Sequence, residues 1–276
     1  MAIGDISLSS AARANLTALQ NTTALLQETQ EHLSTGKTVN SASDNATAYF
    51  ASKGFLNSAN GLATVKTNLS TALEAVNSYD NSINDINDVV TELQGLVTQA
   101  LGTTDTLTRA GLASQFNSLT TQLDQMVNDA TFNGTNLLNS STNTLVVYFN
   151  ANDGTALTIT GVNITTAGLL GTTGGAAGGS WATNADIDVN QSYLLTALGT
   201  LTTDASQFGG NATLIQTRQD FTSNLITSLQ NASNDLTAAD TNTEGANLQA
   251  LQAQDSLGIV SLGVSGTLES AILKIL

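Results

Sequence analysis

Leu62-Ala-Thr-Val65-Lys-Thr-Asn-Leu69-Ser-Thr-Ala-Leu73-Glu-Ala-Val76 opens an apolar ladder that continues through Ile83, Ile86, Val90, Leu93 and Val97. Steps of three and four residues hold these side chains on one face of an α-helix for many turns. No proline interrupts the ladder, and none occurs anywhere in the 276 residues. Proline removes a helix donor and clashes with the preceding turn, so its absence suits long uninterrupted helices. The pattern predicts a helix over about 44–101, roughly 80 Å long at the α-helical rise.

On the N-terminal side, Ala12, Leu19, Leu26 and Leu33 recur every seven residues, flanked by Leu8 and Leu16. Asn15, Thr22 and Thr29 make the companion positions polar, so this helix has a thin seam and needs a partner. Gly36 is placed to end it. Ser41-Ala-Ser-Asp44 reads as the cap of the long helix, an acceptor followed by an acid three residues later. On the other side, Gly102-Thr-Thr-Asp105 reads as a turn with a cap. A third helix is expected over about 106–129 on Leu107, Leu112, Phe116, Leu119, Leu123, Met126 and Val127.

The period then changes. Leu145-Val-Val-Tyr-Phe149 and Ala156-Leu-Thr-Ile-Thr160 read as strands, with Asn152-Asp153-Gly154 as the hairpin turn. Residues 161–183 are loop-rich, and the run Gly171 to Ser180 reads as a flexible loop. Helix resumes near Asn184 and runs to about 239, with Gly209-Gly210 a candidate kink. A last helical region covers about 245–276. The fold class is therefore mainly α: a long antiparallel helical bundle or coiled coil formed by the N- and C-terminal segments, with a β-hairpin and a small loop-rich insert. The expected divisions are 1–40, 41–160, 161–183, 184–239 and 240–276. Self-assembly is assigned to the seam leucines Leu19, Leu26, Leu33, Leu251, Leu257 and Leu262.

Composition narrows the function. Aromatic residues are 4% of the chain, too few for one thick core, while 41% hydrophobic residues suit thin helix-to-helix seams. There is no cysteine, which excludes disulfides, thiolate metal sites and a cysteine nucleophile. With seven Lys and Arg against 22 Asp and Glu the net charge is -15, so nucleic acid and anionic lipid should repel the chain. The N-terminus lacks the basic and apolar regions of a Sec-type signal. Leu257 to Leu276 is the most apolar stretch, and a membrane span is the rival reading there. Ser261, Ser265, Thr267, Glu269, Ser270 and Lys274 interrupt it too often for a bilayer helix, so membrane insertion is not expected.

Catalysis has little to stand on. His32 is the single histidine, between Glu31 and Leu33, where a solvated or interface role outweighs that of a base. Neither a zinc set nor a Ser-His-Asp triad can be assembled. Asp186 and Asp188 read as charge at a helix N-terminus, which the dipole favours. The glycine-rich run lacks the Gly-Lys-Ser/Thr ending of a phosphate loop. Trp181, the one tryptophan, reads as a packing anchor. The Ser, Thr and Asn density over 139–180 suits surface O-glycosylation and plain solvated loop equally. No catalytic residue, metal ligand or cofactor is assigned.

Leu33-Ser-Thr-Gly-Lys-Thr-Val-Asn-Ser-Ala-Ser-Asp-Asn-Ala46 resembles the N-terminal signature of bacterial flagellins. Thr131-Phe-Asn-Gly-Thr-Asn-Leu-Leu138 resembles the flagellin segment that leads from the second core helix into the hairpin, and Leu96-Val-Thr-Gln-Ala100 fits as well. The resemblance covers residues 1–150 well and 190–276 more loosely. Thr217-Arg-Gln-Asp-Phe221 and Asp240-Thr-Asn-Thr-Glu244 depart from the family pattern.

The resemblance implies a secreted, extracellular subunit that polymerises into the flagellar filament and is exported by the flagellar type III apparatus. Its implied partners are copies of itself, an export chaperone, and the hook–filament junction and cap proteins. Terminal helices would line the filament channel, the long helices and hairpin would form an outer core, and the insert would face outward. A hook–filament junction protein of the same superfamily and a secreted helical adhesin are the alternatives. The resemblance also implies an altered immune-receptor site. Leu96 and Gln99 match the family stretch that a vertebrate Toll-like receptor contacts. Glu92 stands where the family has its receptor-contacting arginine, and Gln115 where glutamate is common.

Overall fold

The structure is a computed structural model that describes residues 10–150 and 154–275. In chain order the elements are α1 (Ser10–Thr35), α2 (Ala46–Leu101), α3 (Thr106–Asp129), β1 (Thr144–Tyr148), β2 (Ala156–Thr160), the single turns α4 (Thr166–Leu169) and α5 (Gly171–Gly174), a 3₁₀ turn (Gly178–Trp181), α6 (Asn184–Asp235) and α7 (Thr241–Ile275). Leu8 and the turn residues Asn152 and Asp153 lie outside the described residues. Two compact units result, one of residues up to Ser58 with Ser228 onward, the other of Ala59–Thr227. Both boundaries fall inside helices, so α2 and α6 each contribute to both units.

In the first unit, α1 stops where Gly36 takes φ +69°, with its N–H on His32 O at 2.8 Å. A left-handed residue at this position satisfies a helix-end carbonyl and suits glycine. The next segment differs from the sequence reading. Ser41 does not cap α2; Asn45 does, its Oδ1 accepting the Ala48 N–H at 3.0 Å. The Asp44 carboxylate instead turns back to accept the N–H groups of Asn40 and Ser41 at 2.9 and 2.8 Å. Those backbone bonds, from Ser41 first and then Asn40, hold its pKa below the usual carboxylate value. The chain leaving α6 meets this loop: Thr38 N–H reaches Thr237 O at 2.8 Å and Ala239 N–H reaches Gly36 O at 2.9 Å. Ser52 and Ser233 share a buried hydroxyl pair at 2.7 Å. Asp240 caps α7, accepting from the N–H groups of Asn242 and Thr243, so that helix starts at Thr241 rather than at 245.

In the second unit the predicted ladder is the core. Val65, Leu69, Val76, Ile83, Ile86, Val90, Leu93 and Val97 are all buried, and Phe116, Leu123 and Val127 of α3 join the same cluster. Asp105 caps α3 through the Thr108 N–H at 2.8 Å. Arg109 is buried, and among the described residues it meets neutral acceptors: Nε donates to Ala100 O and Thr103 O, and the Nη groups to Ala182 O and Asn184 Oδ1. The carbonyl end of α2 supplies the negative potential that holds this guanidinium. Beyond α3, Asn136 organises the entry to the hairpin, donating to Val127 O and accepting from the Leu138 N–H, both at 2.7 Å. The strands pair antiparallel in the register Thr144↔Thr160 to Tyr148↔Ala156.

The run Gly171 to Ser180 is not a flexible loop. It folds into short helical turns, and the reason is close packing. A Cβ at Gly174 would lie 2.5 Å from the Tyr193 ring, and one at Gly175 would lie 2.6 Å from Thr166 Cγ2. Trp181 is fully buried, edge-on to Phe116 with ring centroids 5.1 Å apart. Its indole N–H donates to Asn190 Oδ1 at 2.8 Å, while Asn190 Nδ2 donates to Gly174 O and Ala176 O. Helix α6 starts with a reciprocal cap between Thr183 and Asp186 and continues unbroken through Gly209-Gly210.

Asn190 thus satisfies three polar groups that would otherwise be orphaned, at about 1–3 kcal/mol each. Asn190→Ala should lower the urea midpoint of the second unit, read by the fluorescence of the one tryptophan. Far-ultraviolet helicity before the transition should be retained.

Candidate assembly surface

The ends of the chain meet along α1 and α7. His32 Nδ1 lies 3.1 Å from Glu244 Oε1, Thr23 Oγ1 lies 3.5 Å from Asp255 Oδ1, and Asn15 Nδ2 lies 3.1 Å from Ser261 Oγ. These pairs advance along α1 while they retreat along α7, so the helices are antiparallel. Between them Leu19 abuts Gly258, where a Cβ would lie 2.9 Å from Leu19 Cδ1. The less exposed positions of α7 are Glu244 with its neighbour Gly245, then Leu248, Leu251, Asp255, Gly258, Leu262 and Ser265, which from Glu244 onward step by four and three residues in turn. That is the spacing of a coiled-coil seam.

The seam is thin. On α1 only Ala12 and Thr29 are buried, and no described residue of α7 is. Leu19, Leu26, Leu251 and Leu262 sit in it half-buried. Leu33 lies at its margin, 38% exposed. Leu257 is outside it and 69% exposed, on a second face of α7 with Val260, Val264 and Leu268 at three- and four-residue steps. Polar seam positions give register at the expense of stability. Here His32–Glu244 plays that part, its side chains keeping only 15% and 14% of their surface, while Asn15–Ser261 and Thr23–Asp255 pair along the exposed edge. The sequence reading missed Gly258, whose signal was a small residue at the right heptad step, and did not anticipate the partner of His32.

The residues aligned with the receptor stretch are on the second unit. Glu92, Gln99 and Gln115 are exposed and Leu96 is half-buried. Among the described residues no group of three or more His, Asp or Glu is arranged to hold a metal ion. Among them, too, no helix is long and apolar enough to cross a membrane.

Residues 6–143 match the pattern described as the bacterial flagellin N-terminal helical region. Over 280 aligned residues the chain is 31% identical to flagellin FljO and 30% identical to flagellin FljM of Caulobacter vibrioides, covering all of this chain and 99% of each relative. The chain belongs to the flagellin family. A flagellin of Brucella melitensis is 26% identical over 94% of this chain and 95% of its own length. As a flagellin the chain is a structural protein, a subunit of the extracellular flagellar filament. Full-length alignment also carries the likeness past residue 143 into α6 and α7, where the motifs were loosest.

Two adjacent leucines separate the seam from the outer surface: Leu26 is half-buried within it, whereas Leu25 is 50% exposed. A carboxylate buried without a partner costs several kcal/mol. Leu26→Asp should therefore unpair α1 from α7 and lower helicity in circular dichroism of the monomer. Leu25→Asp should leave monomer helicity unchanged.

Proposed function

We propose that the paired ends of the chain are the polymerising element of this filament subunit, with the seam holding α1 to α7 and the outer face of α7 packing on neighbouring copies. The supporting observation is the exposed apolar stripe: Leu257, Val260, Val264 and Leu268 are 53–69% exposed on one helix of a strongly acidic chain. Fully burying such a side chain is worth about 1.5–3 kcal/mol, and a helical lattice repeats the gain at every subunit. On this reading residues 1–40 and 240–276 form the inner part of the filament. Residues 41–160 and 184–239 form an outer core, and 161–183 face outward. Export through the type III apparatus would require a chaperone, and the hook–filament junction and cap proteins would meet the ends of the polymer. No nucleic acid, cofactor or membrane takes part, and the subunit has no enzymatic role.

The test is assembly. Val260→Asp with Val264→Asp should raise the critical concentration for polymerisation more than tenfold, since each 1.4 kcal/mol is a factor of ten. Sedimentation and electron microscopy read the polymer, and monomer helicity should be unchanged. Filaments at the unmodified concentration would overturn the assignment of this face. A monomeric adhesin would form no filaments from either protein.

The second unit carries a further expectation about immune detection. Glu92 replaces a cation by an anion at the family's receptor-contacting position. Losing a charge partner of this kind costs roughly 2–5 kcal/mol, about thirtyfold or more in affinity. The monomer should therefore be a weak agonist in a Toll-like receptor reporter assay, and Glu92→Arg should restore part of the signal. Potency equal to that of arginine-bearing flagellins would refute this.

A further inference from the structure

The second unit carries a groove of about 310 Å³ between α2 and β1. Its lining includes Ala72, Ala75 and Tyr79 of α2, Phe132, and Leu145 and Val147 of β1. The Tyr79 hydroxyl donates to Thr135 O at 2.7 Å and so ties this lining to the turn before the hairpin. Among the described residues no charged side chain lines the groove. Around it, residues 59–227 hold thirteen of the chain's 22 acidic residues and only three of its seven cations. Two copies of the same net negative charge repel each other. A neutral hollow, in which these apolar side chains are rimmed by Asn68, Thr71, Asn133 and Thr135, is where they can close on each other without burying unpaired carboxylates.

An open polymer of one chain needs a heterologous contact, in which two different patches of the same molecule meet head to tail. The second patch must be apolar, protruding and rigid. Leu107 has these properties. At 82% exposed it is the most exposed large apolar side chain among the described residues, and it stands in the first turn of α3. Its backbone is fixed on both sides: Asp105 caps the helix, and Arg109 binds Ala100 O and Thr103 O. From Ala75 to its end at Leu101, α2 climbs about 40 Å at 1.5 Å per residue. The knob and the hollow are therefore at separate levels of one helix, and a copy cannot fill its own groove.

We propose that the groove is the socket for Leu107 of a second copy, a head-to-tail contact between second units within the filament. This rests on the filament reading above and names a contact that the terminal pair does not supply.

The absence of cysteine makes the test clean. Thr71 lines the groove and Thr106 stands beside the knob, and both are exposed, so Thr71→Cys and Thr106→Cys leave the unit's packing and the Leu107 side chain intact. Filaments of the double variant, treated with a short bismaleimide, should give a ladder of dimers, trimers and longer species on denaturing gels. The same treatment of monomer should give none. In the single variant Thr71→Cys, maleimide labelling should be at least tenfold slower in filament than in monomer. Filaments that form without a ladder overturn the proposal, whether the cysteine at 71 stays reactive or is covered by something other than Leu107. Failure of the unmodified chain to form filaments would overturn the filament reading itself, and the socket with it.

Discussion

The side chains from Val65 to Val97 leave water along a single face of α2, and the second unit is assembled around that face. Phe116 and Leu123 of α3, Ile159 of β2, and Leu194, Leu201 and Phe208 of α6 all belong to the same buried cluster. The ladder is long because nothing in the sequence stops it; a proline in the interior of α2, past its first turn, would remove a backbone bond and wedge the turn before it. Two aromatic contacts, Tyr79 on Phe208 and Phe116 on Trp181, fix the cluster at separate points. With so few aromatic residues in the chain, each such contact has an unusual share of the packing.

The first unit obeys a different rule. Its helices meet over half-buried leucines separated by threonine, asparagine and carboxylate, and close approach at Gly258 takes the place of a larger side chain. A seam of this composition specifies which residues face each other more strongly than it stabilises the pair. On the proposed reading, that suits a segment whose remaining apolar surface packs on neighbouring copies. Leaving α7 with two distinct faces, one toward α1 and one toward solvent, gives the chain a defined internal partner before any external one arrives.

Much of this was legible in the sequence, for identifiable reasons. Periodicity located α2 and α3 to within two residues, because long apolar repeats admit only one secondary structure. Gly36 and Asp105 were readable as helix ends because each acts on its own neighbours in the chain. What could not be read depends on contacts made far along the sequence. The glycine-rich run looked like a flexible loop because its partners are Thr166 and Tyr193, and only their positions explain why glycine is required at 174 and 175. The capping role passed from Ser41 to Asn45 because Asp44 was engaged by the backbone behind it, a competition that residue type alone does not reveal. Leu257 shares the seam's residue type without its phase, and one step of 100° on a helix puts it on another face.

Charge shapes how such a chain can associate. At -15 per copy, polymerisation brings like charges together, and screening weakens their repulsion without abolishing it at contact distances. The favourable contacts must then be neutral and apolar, and the chain separates the two kinds of surface. The stripe on α7 from Leu257 to Leu268 contains no acidic residue and no basic one, and the groove beside the hairpin is lined by no charged side chain among the described residues. The carboxylates Asp85, Asp88 and Glu92 instead recur at three- and four-residue steps on the exposed side of α2, opposite the buried ladder. A helix built this way hides its apolar face in its own unit and keeps its acidic face in water. A net negative exterior then discourages indiscriminate association of the monomer.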